Sequence, residues 1–324
     1  MEQDDAKRIK FIGFWPGFEP NNNFIYNSIR KMFPIVLTDN PDYVISGPFS
    51  RDYLQYDCIR IFYTGENLCP DFSLFDYAIG FDHISFEDRY LRYPNWAIPE
   101  IYGDKVAKMR TKHNDYDNKE YDKRSFCSFV VSKGNGYVSD YREKLFRAIS
   151  KIDFVASGGR YLNNINCPNG VEDKLEFQKK YKFAIAAENS SCKGYSTEKI
   201  VDAFAAGAIP IYWGDSEIGK EFNTKAFINC NEYESLEEVI KAVSEVYTNS
   251  EIQDKMMKQP ALVNEVDYQK LLDGFLYSIF SQPLSKAYRR DIVGYNKKKD
   301  DWMREMEKWH NSRVYKLLGG KRGL

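Results

Sequence analysis

Histidine is scarce in this chain. Three occur in 324 residues, His83, His113 and His310, far apart in sequence. That leaves no Cys/His set spaced to hold a zinc ion. The six cysteines, Cys58, Cys69, Cys127, Cys167, Cys192 and Cys230, are scattered and form no CxxC pair, so reduced thiols are expected. An excess of one charge is also missing. With 46 basic and 47 acidic side chains the formal net charge is -1, which gives no field to attract nucleic acid, and no such partner is expected. No stretch approaches the roughly 18–20 apolar residues of a membrane span. The opening "MEQDDAKRIK" is charged where a signal peptide would be apolar, so a cytoplasmic protein is expected and the "NSS" at Asn189 is an incidental sequon. Neither GxxxxGK[ST] nor GxGxxG occurs in the loops of interest, which removes the P-loop and dinucleotide readings. No internal repeat recurs at a fixed period.

What is present is a large apolar and aromatic fraction. Hydrophobic residues make up 43% of the chain, enough for a folded core, and 24 Tyr and 22 Phe suit sugar or base stacking as well as an aromatic core. Arg8–Trp15, Tyr43–Gly47, Ile59–Tyr63 and Tyr77–Asp82 read as short buried strands. From Pro94 to Arg124 the pattern dissolves into "KHNDYDNKEYDKR", which reads as a linker. A second alternating series follows: strand Ser125–Ser132, a helix at "YREKLFRAIS", strand "IDFVASGG", strand Lys182–Asn189, a loop, a helix over Thr197–Ala206, and strand Ile209–Gly214. Helices "SLEEVIKAVSEVY" and "QKLLDGFLYSIF" are expected to close this second domain. Alternating strands and helices predict parallel sheets with covered faces. The expectation is two α/β domains, 1–120 and 121–296, facing a central cleft, followed by a tail, 297–324. That tail carries nine Lys or Arg against four Asp or Glu, and Trp302, Met306, Trp309 and Leu317 can share one helical face. It reads either as a helix docked on the protein body or as a basic helix lying on a membrane surface.

The stretch "ENSSCKGYSTEKIVDAF" (Glu188–Phe204) is the richest in chemistry. Ser196 is the expected N-cap of its helix and Gly207 the expected stop. Ligands of open α/β sheets bind where strands end and helices begin, and a helix N-terminus favours phosphate. Lys199 adds a full positive charge, Tyr195 a phenolic donor, and Glu198 and Asn189 can accept from ribose or sugar hydroxyls. Together they suit a nucleotide diphosphate, although a capped helix with solvated charges fits the spacing too. "ASGGR" (Ala156–Arg160) ends another strand, and Arg160 could reach phosphate bidentately. In "FYTGEN", Glu66 follows a buried strand by a few residues. A lone carboxylate there suits a general base, or simply a turn.

Longer runs point to a family. "GYSTEKIVDAFAAGAIPIYWG", with "KFAIAAENSS" before it and "FNTKAFIN" after it, resembles the donor-site signature of the α-1,3/1,4-fucosyltransferases, glycosyltransferase family ten. "IFYTGENLCPDFSLFDYAIGFDHISFEDRYLRYP" is similar to the acceptor-domain block of its bacterial, Helicobacter-type members. With "SFVVS" and "SGGR", the resemblance runs from Ile61 to about Asn231; the leucine heptads common in bacterial relatives are not seen. It implies an α/β GT-B architecture of two Rossmann-like domains, with acceptor bound by the N-terminal one and GDP-fucose by the C-terminal one. It implies Glu66 as catalytic base and Arg160, Asn189, Tyr195, Glu198 and Lys199 as donor-binding residues. It further implies inverting transfer of L-fucose from GDP-β-L-fucose to the 3-hydroxyl of N-acetylglucosamine in N-acetyllactosamine-type glycans, giving a Lewis X-like product. No obligatory cofactor or metal is expected, a divalent ion being at most stimulatory, since protein cations can cover the diphosphate. Two other readings remain at this point: a GT-B enzyme using another nucleotide sugar, and a non-catalytic carbohydrate-binding protein.

Overall fold

A computed structural model of the chain describes residues 6–134, 139–290 and 294–312. The order begins β1 (Lys7–Ile12), α1 (Phe24–Met32), β2 (Ile35–Leu37), β3 (Tyr43–Ser46), β4 (Ile59–Tyr63), β5 (Tyr77–Gly80) and β6 (Tyr90–Arg92). It continues with α2 (Pro99–Thr111), α3 (Asn118–Asp122), β7 (Ser125–Phe129), α4 (Tyr141–Ile149), β8 (Val155–Ser157), α5 (Lys174–Gln178) and β9 (Tyr181–Ala187). Then come α6 (Glu198–Ala205), β10 (Ile209–Trp213), β11 (Ile228–Asn229), α7 (Leu236–Thr248) and α8 (Ser250–Met257). The last helices are α9 (Tyr268–Phe280), α10 (Leu284–Ala287) and α11 (Gly294–Asn311).

The chain forms two compact units, Met1–Tyr93 with Asp267–Leu324, and Pro94–Val266. The first holds a sheet in the order β2-β1-β3-β4-β5-β6, the second a sheet in the order β11-β10-β9-β7-β8. Every pairing between these eleven strands is parallel. Parallel strands covered on both faces need unbroken apolar runs. β3 (YVIS) and β4 (IRIFY) are accordingly buried at every position. In both sheets the first strand of the series lies between the second and the third. The strand order therefore reverses at β1/β3 in one unit and at β7/β9 in the other, and such switch points are where open α/β sheets bind ligands.

The boundaries differ from the expected 120/121 and 296/297, and the reason lies in tertiary contacts. The presumed linker contains α2, which starts with Pro99 at its first turn and fully buries only Met109. Its anchor is ionic: Lys105 pairs at 2.7 Å with Asp202 of α6, whose side chain is almost wholly buried. Such a helix carries little apolar periodicity to read. α9 belongs with the first sheet instead of the second. Phe280 packs 4.3 Å from the Tyr43 ring of β3, and Gln269 donates to Ser28 of α1 at 2.7 Å. Its apolar stripe promised a buried face but could not name the sheet it covers.

The tail helix docks within the first unit, by a face other than the expected one. Asp300 pairs with the fully buried Arg60 of β4 at 2.7 Å, Lys299 pairs with Asp71 at 2.6 Å, and Met303 packs on the core around Val44, Leu54 and Phe62. Asp300, Met303, Arg304 and Glu307 share one side of the helix. Trp302, Met306 and Trp309 fall on the opposite side, with Trp302 and Trp309 57% and 47% exposed. Leu317 lies outside the described residues. Among those described, no helix is long and apolar enough to cross a membrane.

Candidate active site

In the second unit the chemistry gathers where β9 ends, on the side of its switch point. Glu188, the residue after β9, is fully buried. Its carboxylate accepts from the Thr197 backbone N–H at 2.8 Å, from the Thr197 hydroxyl at 2.7 Å, and from Lys199 Nζ at 3.0 Å. Room for this carboxylate comes from Gly214, where a Cβ would sit 2.4 Å from Glu188 Cγ. Lys199 Nζ also donates to Thr197 Oγ1 at 2.9 Å and lies 3.3 Å from Glu198 Oε1. Burial alone would lower the Lys199 pKa, but the two carboxylates outweigh it and hold the ammonium charged well above its usual range. Burial pushes the Glu198 carboxyl up, while Lys199 and Lys174 pull it down further, to about 2. Both groups are therefore ionised across the neutral range.

The N-cap is Thr197, not Ser196, and the Thr197 hydroxyl turns to Glu188 in place of its own helix. Ser196 accepts from Trp96 and donates to Glu221. Gly207 follows the helix with φ +63, the expected stop, while Arg124 donates to the Ala206 and Gly207 carbonyls. Because Glu188 already serves the Thr197 end of α6, the positive end of the helix is partly neutralised from within. A phosphate at this edge would then meet fixed side-chain cations as well as the end of the helix.

Arg142, at the start of α4, is such a cation, and nothing in the sequence singled it out. Its side chain is buried, one amino group donates to Asn189 Oδ1 at 2.8 Å, and Nε has no hydrogen-bond partner among the described residues. Burial lowers its pKa, and the carboxylates of Glu188 and Glu198 act against that. An unsatisfied buried guanidinium is costly unless a ligand completes it. The Asn189 carbonyl in turn accepts from Ser139 N, which ties the loop after β9 to the segment entering α4. Tyr195 is buried, close enough to Lys199 and Arg142 to act on both electrostatically. Arg142, Asn189, Tyr195, Glu198 and Lys199 thus form one electrostatic group. Arg160 does not join it: exposed in the loop after β8, it has no hydrogen bond or ion pair among the described residues. The sequence cue for Arg142 was weak, one arginine in an ordinary amphipathic helix.

In the first unit, Glu66 stands in the turn after β4, exposed. The Thr64 hydroxyl accepts from the Glu66 N–H and donates to its carbonyl, both at 3.0 Å. Further along this loop the Cys69 thiol hydrogen-bonds Asp82, whose carboxyl is raised mainly by burial. Both ends of the loop are fixed while the Glu66 carboxylate stays open to solvent. Among the described residues no group of three or more acidic, His or Cys side chains is placed to hold a metal ion.

Two all-parallel α/β sheets, each reversing strand order at a switch point, are the components of the GT-B class of fold, and the chain has that fold. Two family models match in tandem: the alpha-(1,3)-fucosyltransferase FucT N-terminal domain over residues 9–99, and the glycosyltransferase family 10 (fucosyltransferase) C-terminal model over residues 121–258. The chain belongs to glycosyltransferase family 10. The first match starts well before Ile61, so the family likeness reaches further forward than the quoted motifs. An alpha-(1,3)-fucosyltransferase, FucT, of Helicobacter pylori is 34% identical over 301 residues, 82% of this chain. The match spans 60% of that relative's length. A crystal structure of an alpha1,3-fucosyltransferase superposes with a TM-score of 0.75 at 28% identity, over 91% of this chain and 95% of that one. A second, with GDP-fucose, superposes with a TM-score of 0.73 at 28% identity, over 88% and 93%.

Proposed function

We propose that the protein is an inverting α-1,3-fucosyltransferase that moves L-fucose from GDP-β-L-fucose to the 3-hydroxyl of N-acetylglucosamine in N-acetyllactosamine-type glycans. The observation that carries this reading is a pair of cations beside the loop after β9: Arg142, buried and held by Asn189, and Lys199, partly buried among Glu188, Thr197 and Glu198. Membership of family 10 supports fucose as the sugar moved. In the proposed step Glu66 takes the proton from the acceptor hydroxyl as its oxygen attacks C1 of fucose. The bond from C1 to the β-phosphate oxygen breaks on the opposite face, and GDP departs with the bonding pair. Lys199 and Arg142 stabilise the charge growing on the diphosphate, and their fixed positions need no reorganisation as it grows. Tyr195 and Asn189 orient the donor, while Glu198 faces either the ribose or the positive charge developing on fucose. Arg160 has no part in this version. With two fixed cations available, the proposed step does not call for a divalent ion.

The test offers the full chain a panel of nucleotide sugars with N-acetyllactosamine, with and without a strong chelator, and reads products by mass and NMR. Fucosylation at O3 from GDP-fucose alone, persisting in chelator, is expected. Transfer from another donor, or release of no nucleotide at all, would overturn the reading. The protein is further proposed to act at the cytoplasmic face of an anionic membrane, which the outward Trp302 and Trp309 and the basic composition of residues 297–324 support.

A further inference from the structure

The carboxyl edge of the first sheet is unusually apolar for a surface. Exposed large apolar side chains occur in four of its loops: Trp15 after β1, Phe49 after β3, Leu68 after β4, and Ile84 and Phe86 after β5. Solvent-facing groups of this kind gathered at one edge mark a binding surface more often than chance exposure does. Trp15 and Phe49 flank the β1/β3 switch point, the place in this unit where a ligand is expected.

The two loops are joined backbone to backbone. Phe49 N donates to Gly13 O at 2.9 Å, and a Cβ on Gly47 would meet that same oxygen at 2.4 Å, so only glycine permits the approach. Trp15 rests on a rigid aromatic base. It meets Phe14 at 5.7 Å and 68° and Phe18 at 5.2 Å and 83°, and those two rings stack on each other at 3.9 Å. Phe14 also lies parallel to Tyr63 at 6.2 Å, and Tyr63 ends the strand that leads into Glu66. Among the described residues no ring stacks in parallel on Trp15, and 40% of it is exposed. An indole fixed by two steeply angled ring contacts, with no ring stacked in parallel on it, suits the apolar C–H face of a pyranose. Two strand spacings, about 10 Å in all, separate the β1 loop from the end of β4. That distance is too long for the sugar whose hydroxyl meets Glu66, and it suits the next one along.

We infer that Trp15 is a stacking platform for the acceptor sugar adjoining the one that is fucosylated. This rests on the transferase reading. Trp15→Ala is expected to raise KM for N-acetyllactosamine by roughly tenfold, the scale of one lost aromatic contact. kcat and KM for GDP-fucose stay within twofold, the signature of uniform binding lost. KM for N-acetylglucosamine alone stays unchanged, and Trp15→Phe restores most of the disaccharide affinity. Equal loss on both acceptors, a fall confined to kcat, or no change at all would each overturn the assignment. Sedimentation of both variants covers the other occupant: a dimer of the wild type that Trp15→Ala dissociates would give the face to a second copy of the chain and overturn it too. If the wild type fucosylates nothing, the functional reading fails separately. Calorimetric titration of the disaccharide into wild type and Trp15→Ala then decides whether Trp15 binds sugar.

Discussion

Glu66 and Arg142 mark the limits of what single residues reveal. The place of Glu66 was legible, in the turn after a buried strand and a glycine, while its part as a base belongs to the proposed mechanism. Glu66→Gln keeps the size of the side chain and removes the base, so kcat should fall by about 10²–10⁴-fold while GDP affinity holds. Turnover close to wild type in a steady-state assay would refute the role. Arg142 was not legible, because what sets it apart is a buried guanidinium whose Nε has no partner among the described residues, and burial is a tertiary property. Arg142→Ala and Lys199→Ala should each weaken GDP by roughly 1.5–3 kcal/mol, the worth of a charge-assisted hydrogen bond, and weaken guanosine far less. Arg160→Ala should shift GDP by less than about 0.5 kcal/mol, as exposed substitutions do. Calorimetry that finds Arg160 the larger contributor would reverse the assignment. Glu198 adds a pH test. Its folded-state pKa lies below that of the unfolded chain, so its stabilisation is complete above about 4.5 and fades as the pH falls toward about 2. The melting-temperature gap between wild type and Glu198→Gln should therefore be constant from pH 5 to neutrality and narrow below pH 4.5. A gap that widens on acidification would contradict it.

Elements were legible where one strong period or one unbroken apolar run defined them. β4 starts and ends where its sequence says, since IRIFY is buried at every position. α4, α7 and α9 follow their apolar spacing to within a residue or two. β2 and β6, three residues each, are too short to carry a pattern, and α2 is held by ion pairs that leave no period. α11 is the most instructive case. Its tryptophan stripe was visible, yet the docked face is the charged one, because Arg60 sits in the buried β4 and needs an acid. Asp300→Ala strips the ion-pair partner from that guanidinium, though the Tyr56 and Leu74 carbonyls still accept from it. A loss of about 2–3 kcal/mol in chemical denaturation is expected, below the full cost of an orphaned buried charge. Trp302→Ala with Trp309→Ala should leave stability within about 0.5 kcal/mol and reduce sedimentation with anionic vesicles. The opposite pattern, stable vesicle binding with a large stability loss, would make the tryptophan face structural.

Across the whole molecule, the two parallel sheets were legible, and the path of the chain between them was not. Periodicity describes neighbours in sequence, whereas the return of residues 267–324 to the first unit is decided by what its sheet leaves uncovered. Leu272, Leu276, Ile279 and Phe280 of α9 are fully buried. At about 1.5–3 kcal/mol each, those four side chains match the whole stability of an ordinary domain. Arg290, nearly buried, pairs with the fully buried Asp76 at 2.9 Å, so losing it would strand a carboxylate in the core. A chain ending at Val266 should therefore lose the first unit as a cooperative structure, while the second, which contains Lys199 and Arg142, still folds. Scanning calorimetry with a GDP titration reads this directly. In the full chain only one part of the unfolding is expected to move with GDP, by about 2.7 kcal/mol at a hundredfold excess over Kd. The shortened chain should keep that GDP-sensitive transition and lack the other. If it instead retains the GDP-insensitive transition at its original temperature, the first unit folds without α9, and the division of the chain drawn from its contacts does not describe its stability.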